Sequence, residues 1–187
     1  MNLRLLLLAG VTLAAIPAFG EDSAPVSATI TVTASVGNIC HLGTPANSTI
    51  ELGALAAESD GSLVPISPPS TAIQGSWCNA GSTISVFATP LIAQNYGAGA
   101  PPANFTKAVN FKVTASGWTS PAAFYTTTGD VSGSQSNVTP GTASASIPVA
   151  QTITVDLSNF ASPVAGYRLV ADTNYSSTIT VTLTAAP

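Results

Sequence analysis

Few side chains in this sequence could do chemistry. The chain has two cysteines, Cys40 and Cys78, and a single histidine, His41. Nucleophilic catalysis needs a base beside Ser or Cys. His41 adjoins Cys40 and reads as a surface neighbour. Lys107 and Lys112 fall on or beside a strand candidate and are expected to face solvent. Paired carboxylates for glycoside hydrolysis would have to come from Glu51, Glu58, Asp60, Asp130, Asp156 and Asp172. Glu58 and Asp60 lie in a Ser/Gly loop. Calcium would want six or more oxygens, more than that pair offers. No glycine-rich loop follows a strand and opens a helix. The expectation is a protein with no catalytic residues, no cofactor and no metal.

Cys40 and Cys78 are expected to form a disulfide across 38 positions, given an exported chain with an even cysteine count. Two buried thiols or a metal site are the alternatives. Export is read from the first twenty residues. Arg4 is the positive end, Leu5 to Ile16 the apolar stretch, and Ala18-Phe19-Gly20 the small-residue site, so a mature chain would begin near Glu21. The apolar stretch is too short for a bilayer core about 30 Å thick. No later run approaches that length, so no membrane span is expected in the mature chain.

The elements that position these residues are strands. From Val26, the positions Ala28, Ile30, Val32, Ala34 and Val36 alternate with Ser27, Thr29, Thr31, Thr33 and Ser35. A period of two predicts a half-buried strand. The chain ends likewise, with Ile179, Val181 and Leu183 alternating with Thr178, Thr180, Thr182 and Thr184. Between them, strands are expected at 49–52, 72–78, 83–88, 108–115, 145–149, 152–157 and 167–171. Residues 94–104 and 126–144 read as long loops. No stretch carries a helical apolar stripe. Short strands separated by polar turns predict an all-β sandwich or barrel in one domain, 21–187.

The 187 residues carry four Lys or Arg against eight Asp or Glu. No basic face can be built for nucleic acid. Among the aromatics, Trp77 is expected beside the disulfide in the core. Trp118 and Tyr125 flank a Pro-containing turn and are the better candidates for exposure, although packing in the core or at its rim is the favoured role of each aromatic.

The order of features resembles bacterial spore-coat-U-like domains, which include pilins of archaic chaperone–usher fimbriae. The resemblance rests on the alternating strand leading to Cys40, the Thr-Ile-Glu-Leu-Gly stretch ending at Gly53, Ser76-Trp77-Cys78, Ile84-Ser85-Val86-Phe87, Ala165-Gly166-Tyr167, Asp172 and the final alternating strand. It implies an Ig-like sandwich lacking one strand, which a partner donates. On this chain the donor knobs would be Val26, Ala28 and Ile30. Ile179, Val181 and Leu183 would border the groove, and the Pro187 carboxylate would anchor a chaperone. The implied partners are neighbouring subunits, a periplasmic chaperone and an outer-membrane usher. The implied destination is the cell surface, by way of the periplasm. The other reading is a self-complete secreted sandwich that binds glycans or another surface polymer through Trp118, Tyr125 and the 126–144 loop.

Overall fold

The computed structural model describes residues 27–97 and 99–187. The leader and its cleavage site lie outside the described residues, as does Val26. Two compact units are separated at Ser35, and the second, Val36–Pro187, carries the fold. In the first unit, residues 27–35 form no ladder, and Ile30 and Val32 are 86% and 89% exposed. The half-buried strand expected over 26–36 is therefore absent over the described residues. Alternation supplies a face to bury, but a ladder also requires a neighbouring strand.

The described residues contain no helix, and the fold is an antiparallel β-sandwich. Its thirteen strands are β1 (Cys40–His41), β2 (Thr44–Pro45), β3 (Ser70–Cys78), β4 (Ser82–Ala88), β5 (Leu91–Ala93), β6 (Phe105–Thr106), β7 (Ala108–Ser116), β8 (Ala123–Thr126), β9 (Gly141–Ala145), β10 (Val149–Ala161), β11 (Arg168–Leu169), β12 (Tyr175–Ser176) and β13 (Ile179–Ala185). The larger sheet runs β1-β3-β10-β7-β5-β12, with β2 also on β3 and β8 also on β7. The smaller sheet is β13-β4-β9. A short parallel pair, β6 with β11, stands apart.

Alternation decides which faces meet. Ile84, Val86 and Ala88 of β4 are buried against Phe111, Val113 and Ala115 of β7 and Ile153, Val155 and Leu157 of β10. Burial of each large side chain contributes about 1.5–3 kcal/mol. The long β10 does not stay flat. Its register shifts between Gln151 and Ile153 against β3, and between Ser158 and Ala161 against β7. Extra residues on one strand bend it and increase its twist. The larger sheet curls accordingly.

The two sheets approach closely on one side. A Cβ on Gly141 of β9 would lie 1.6 Å from the Phe124 carbonyl oxygen of β8, so only glycine fits there. Gly43 is similarly pressed against the Gln74 carbonyl, 1.7 Å from where its Cβ would sit, as the chain crosses β3.

Several expected strands moved. Residues 145–149 straddle the turn between β9 and β10, because Ser146 to Pro148 reverse the chain. The 126–144 loop gives up its last residues to β9. Residues 49–52 form no strand, though Ile50 and Leu52 rest on the core. The expected 72–78, 83–88, 108–115 and 152–157 lie within β3, β4, β7 and β10.

Candidate functional site

The sandwich closes where β8 meets β9 and stays open beside β13. Along β13, every residue from Ile179 to Ala185 has a partner on β4. Among the described residues, no strand pairs with its other side. Edge strands present a row of free N–H and C=O groups that another chain can pair with. Beside this edge lies a groove of about 1030 Å3. Its floor is the inner face of the larger sheet: Ile73 of β3, Leu91 of β5, Phe111 of β7, and Val155 and Leu157 of β10. Phe111 stacks on Phe160, with ring centroids 5.6 Å apart. One bank carries Ile179 and Val181 together with residues 169–177, and residues 47–56 form the other. The smaller sheet ends at β13 on this side, and the floor residues are 1–7% exposed.

Of the groove-edge residues expected from sequence, Ile179 and Val181 line the groove. Leu183 lies farther along β13, opposite Ile84. All three are half-buried, and the intervening threonines are exposed. Pro187, the expected anchor, is exposed. Of the donor knobs, Ala28 and Ile30 are exposed, as are Val32 and Val36, the last at 82%. Asn38 Nδ2 donates to the Ala186 carbonyl at 2.8 Å, so the sandwich begins beside the far end of β13.

Cys40 and Cys78 form the expected disulfide, with Cα atoms 4.1 Å apart in a directly opposed β1–β3 pair. Asn79 secures the same corner. Its Oδ1 accepts from Ile39 N at 2.7 Å and its Nδ2 donates to the Gly37 carbonyl at 2.8 Å. His41 is exposed and stacks on Trp77, with ring centroids 6.2 Å apart.

Trp118 and Tyr125 take the packed role and not the exposed one, and Trp77 departs from its expected place in the core. Trp118 and Tyr125 are 4% and 3% exposed, and Trp77, expected in the core, is 40% exposed. Trp118 can be buried because its indole N–H donates to Ser82 Oγ at 3.1 Å. Tyr125 packs on Phe87, receives a hydrogen bond from Gln135 Nε2 at 2.7 Å and donates to the Asn137 carbonyl. Burial pushes its hydroxyl pKa up, against the opposing pull of Gln135. Neither ring is presented to a sugar. Trp77 lies outside because β3 alternates and Cys78 takes the inner face.

Lys107 is also a correction, since it is 8% exposed. Its Nζ donates to the Gly97 and Gly99 carbonyls at 3.1 and 3.4 Å and holds the loop that follows β5. Lys112 lies on the outer face, with Nζ 4.3 Å from the Phe124 ring centroid. Asp172 ties the same loop from the groove side. Its carboxylate accepts from Asn95 N at 2.7 Å, Asn95 Nδ2 at 2.9 Å and Asn174 N at 2.8 Å. Desolvation raises the Asp172 pKa, but these hydrogen bonds outweigh it and hold the carboxyl below its ordinary value. Hydrogen bonds from Ser62 likewise hold Asp60 low. Tyr175, on the groove wall, donates to the Val170 carbonyl at 2.8 Å, and burial, with the nearby Asp172 charge, pushes its pKa up to about 12.

Among the described residues, no group of three or more His, Cys, Asp or Glu could hold a metal ion. Among the same residues, no helix is long and apolar enough to cross a membrane. Sequence reasoning had the β13 residues but missed the floor of the groove. Its members are buried core residues from four strands, and only the fold brings them together under the groove. Comparison of the chain with protein-family models, with curated proteins and with solved structures gives no match.

Proposed function

We propose that this chain is a non-enzymatic structural or adhesive subunit of a bacterial surface fimbria, assembled by donor-strand complementation. The observation that carries the proposal is the groove, floored by apolar side chains, beside the unpaired edge of β13. A strand laid along that edge would pair with its free backbone groups, while alternate side chains fill the groove. The chain carries a segment of the right kind. Residues 27–36 are uncharged and alternate, with Ile30, Val32 and Val36 exposed. Delivery of that segment to the groove of another copy is head-to-tail, which builds a filament and does not close a dimer. The resemblance to spore-coat-U-like pilins supports the same reading. It adds export through the periplasm, a chaperone that covers the groove before assembly, and an usher.

The test is periplasmic expression with and without a fimbrial chaperone, followed by comparison of unboiled and boiled samples on an SDS gel. The expected result is a ladder that collapses to one band on boiling and is lost in Val181→Asp, which puts a charge into the groove. A soluble monomer that needs no chaperone and gives no ladder refutes the proposal.

A further inference from the structure

We infer that Trp77, with His41 beside it, forms a binding platform for an uncharged glycan on the outer face of the larger sheet. This goes beyond the donor-strand reading and does not rest on it, because the platform is on the opposite face of the sheet from the groove.

Strand register assembles the platform. His41 and Trp77 are directly opposed on β1 and β3, and Ala150 of β10 is opposed to Trp77 on its other side. All three are exposed, Trp77 at 40%. The indole and imidazole centroids lie 6.2 Å apart, with the rings 29° from parallel. Ile39, two residues before His41, adds a further exposed apolar side chain. Ala150 rises only a methyl group above the sheet, and a Cβ on Gly75 would meet nothing within 4 Å, so the space beside the indole is open. Gln74 and Thr152, both exposed, add an amide and a hydroxyl nearby. The fold does not require a ring here. Alternation asks only that position 77 face outward, since Cys78 turns inward to its disulfide. Elsewhere the outward positions of this sheet carry Thr114, Ser116 and Thr154.

The charge of the surroundings selects the ligand. No Asp, Glu, Lys or Arg lies at 23–50, 61–106 or 131–155, the stretches that supply β1, β3 and the first half of β10. A phosphate or carboxylate polymer would find no cation there, and a charged peptide no opposite charge. A membrane surface calls for Lys or Arg. A neutral glycan needs neither. The C–H bonds on one face of a pyranose ring carry slight positive charge and are drawn to the electron-rich face of an indole. Its hydroxyls pair with neutral amide and hydroxyl groups such as those of Gln74 and Thr152. Aromatic surface with a few polar groups beside it is the usual lining of a small-molecule site.

The test is isothermal titration calorimetry on the full chain, with cellohexaose, mannohexaose and chitohexaose as probes. The expected result is saturable binding of at least one of them, weakened about tenfold in Trp77→Ala and less in Trp77→Phe. Phe124→Ala, which removes an exposed ring on β8, should leave it unchanged. The urea midpoint followed by buried Trp118 checks the fold of each variant, and His41→Ala is read in place of Trp77→Ala if that midpoint falls. Binding of none of the three sugars, or equal binding by the folded variants, overturns the inference. Association of copies that depends on Trp77, without sugar binding, also overturns it and assigns the patch to a protein contact. The SDS-gel ladder reports on the groove and is independent of each of these outcomes.

Discussion

Replacement of Cys40 and Cys78 together by alanine tests what holds the start of the sandwich in place. The bridge closes a loop of 38 positions. Restricting such a loop in the unfolded chain is worth about 4 kcal/mol in the chain-entropy model. The rival restraints at this corner are weaker. They are the hydrogen bonds of Asn79 to Gly37 and Ile39, and that of Asn38 to Ala186, all exposed. Each such bond is worth about 0.5–1.5 kcal/mol net, and β1 itself has only two residues. Loss of the bridge should therefore dominate, against a domain stability of about 5–15 kcal/mol. Urea unfolding is followed by tryptophan fluorescence, which reports on buried Trp118. With a slope of about 2 kcal/mol per molar, the midpoint should fall by about 2 M. A fall below about 0.5 M at unchanged slope would falsify the premise that the bridge restrains the unfolded chain.

Three further outcomes follow from the same geometry. Tyr175 has its pKa raised to about 12 in the fold, from an ordinary value near 10. The folded state then holds the proton more tightly, so stability should decline as pH rises from about 10 to about 12, and Tyr175→Phe should flatten that decline in urea midpoints. Gly141→Ala pushes a methyl group into the Phe124 carbonyl and should cost at least about 1–3 kcal/mol, whereas Gly37→Ala, with nothing within 4 Å, should be near neutral. Equal melting temperatures for the two variants would contradict the close approach of β8 and β9. Lys107→Met removes the ammonium that holds Gly97 and Gly99, so chymotrypsin should cut at Tyr96 several-fold faster; an unchanged rate would show that Lys107 does not secure the loop.

The sequence was enough to place β4, β7 and β13 and the central part of β10, and alternation gave the inner face of β13. A period of two sorts side chains onto two sides of any extended chain. The cysteine pair was legible for a similar reason, since only two are present. The same alternation over-predicted a strand at 27–36 and at 49–52, because pattern specifies a face and says nothing about a neighbour to pair with. Packing was the favoured role for Trp118 and Tyr125, but the burial of their polar tips could not be read along the chain. It depends on Ser82, Gln135 and Asn137, which come from other parts of the sandwich and satisfy the polar tips. Lys107 is buried because two carbonyls of the loop just before it, those of Gly97 and Gly99, turn toward it.

The groove is the clearest case of what only tertiary structure decided. Of its floor, Ile73, Phe111, Val155 and Leu157 fell in expected strands, and Leu91 fell in none. Ile73, Phe111 and Val155 line a site because the smaller sheet ends at β13 while the larger sheet continues beneath it. Sequence by itself determined an all-β chain with apolar faces and a single cross-link. The mismatch in sheet width belongs to tertiary structure, because strand pairing is a relation between segments far apart in the chain.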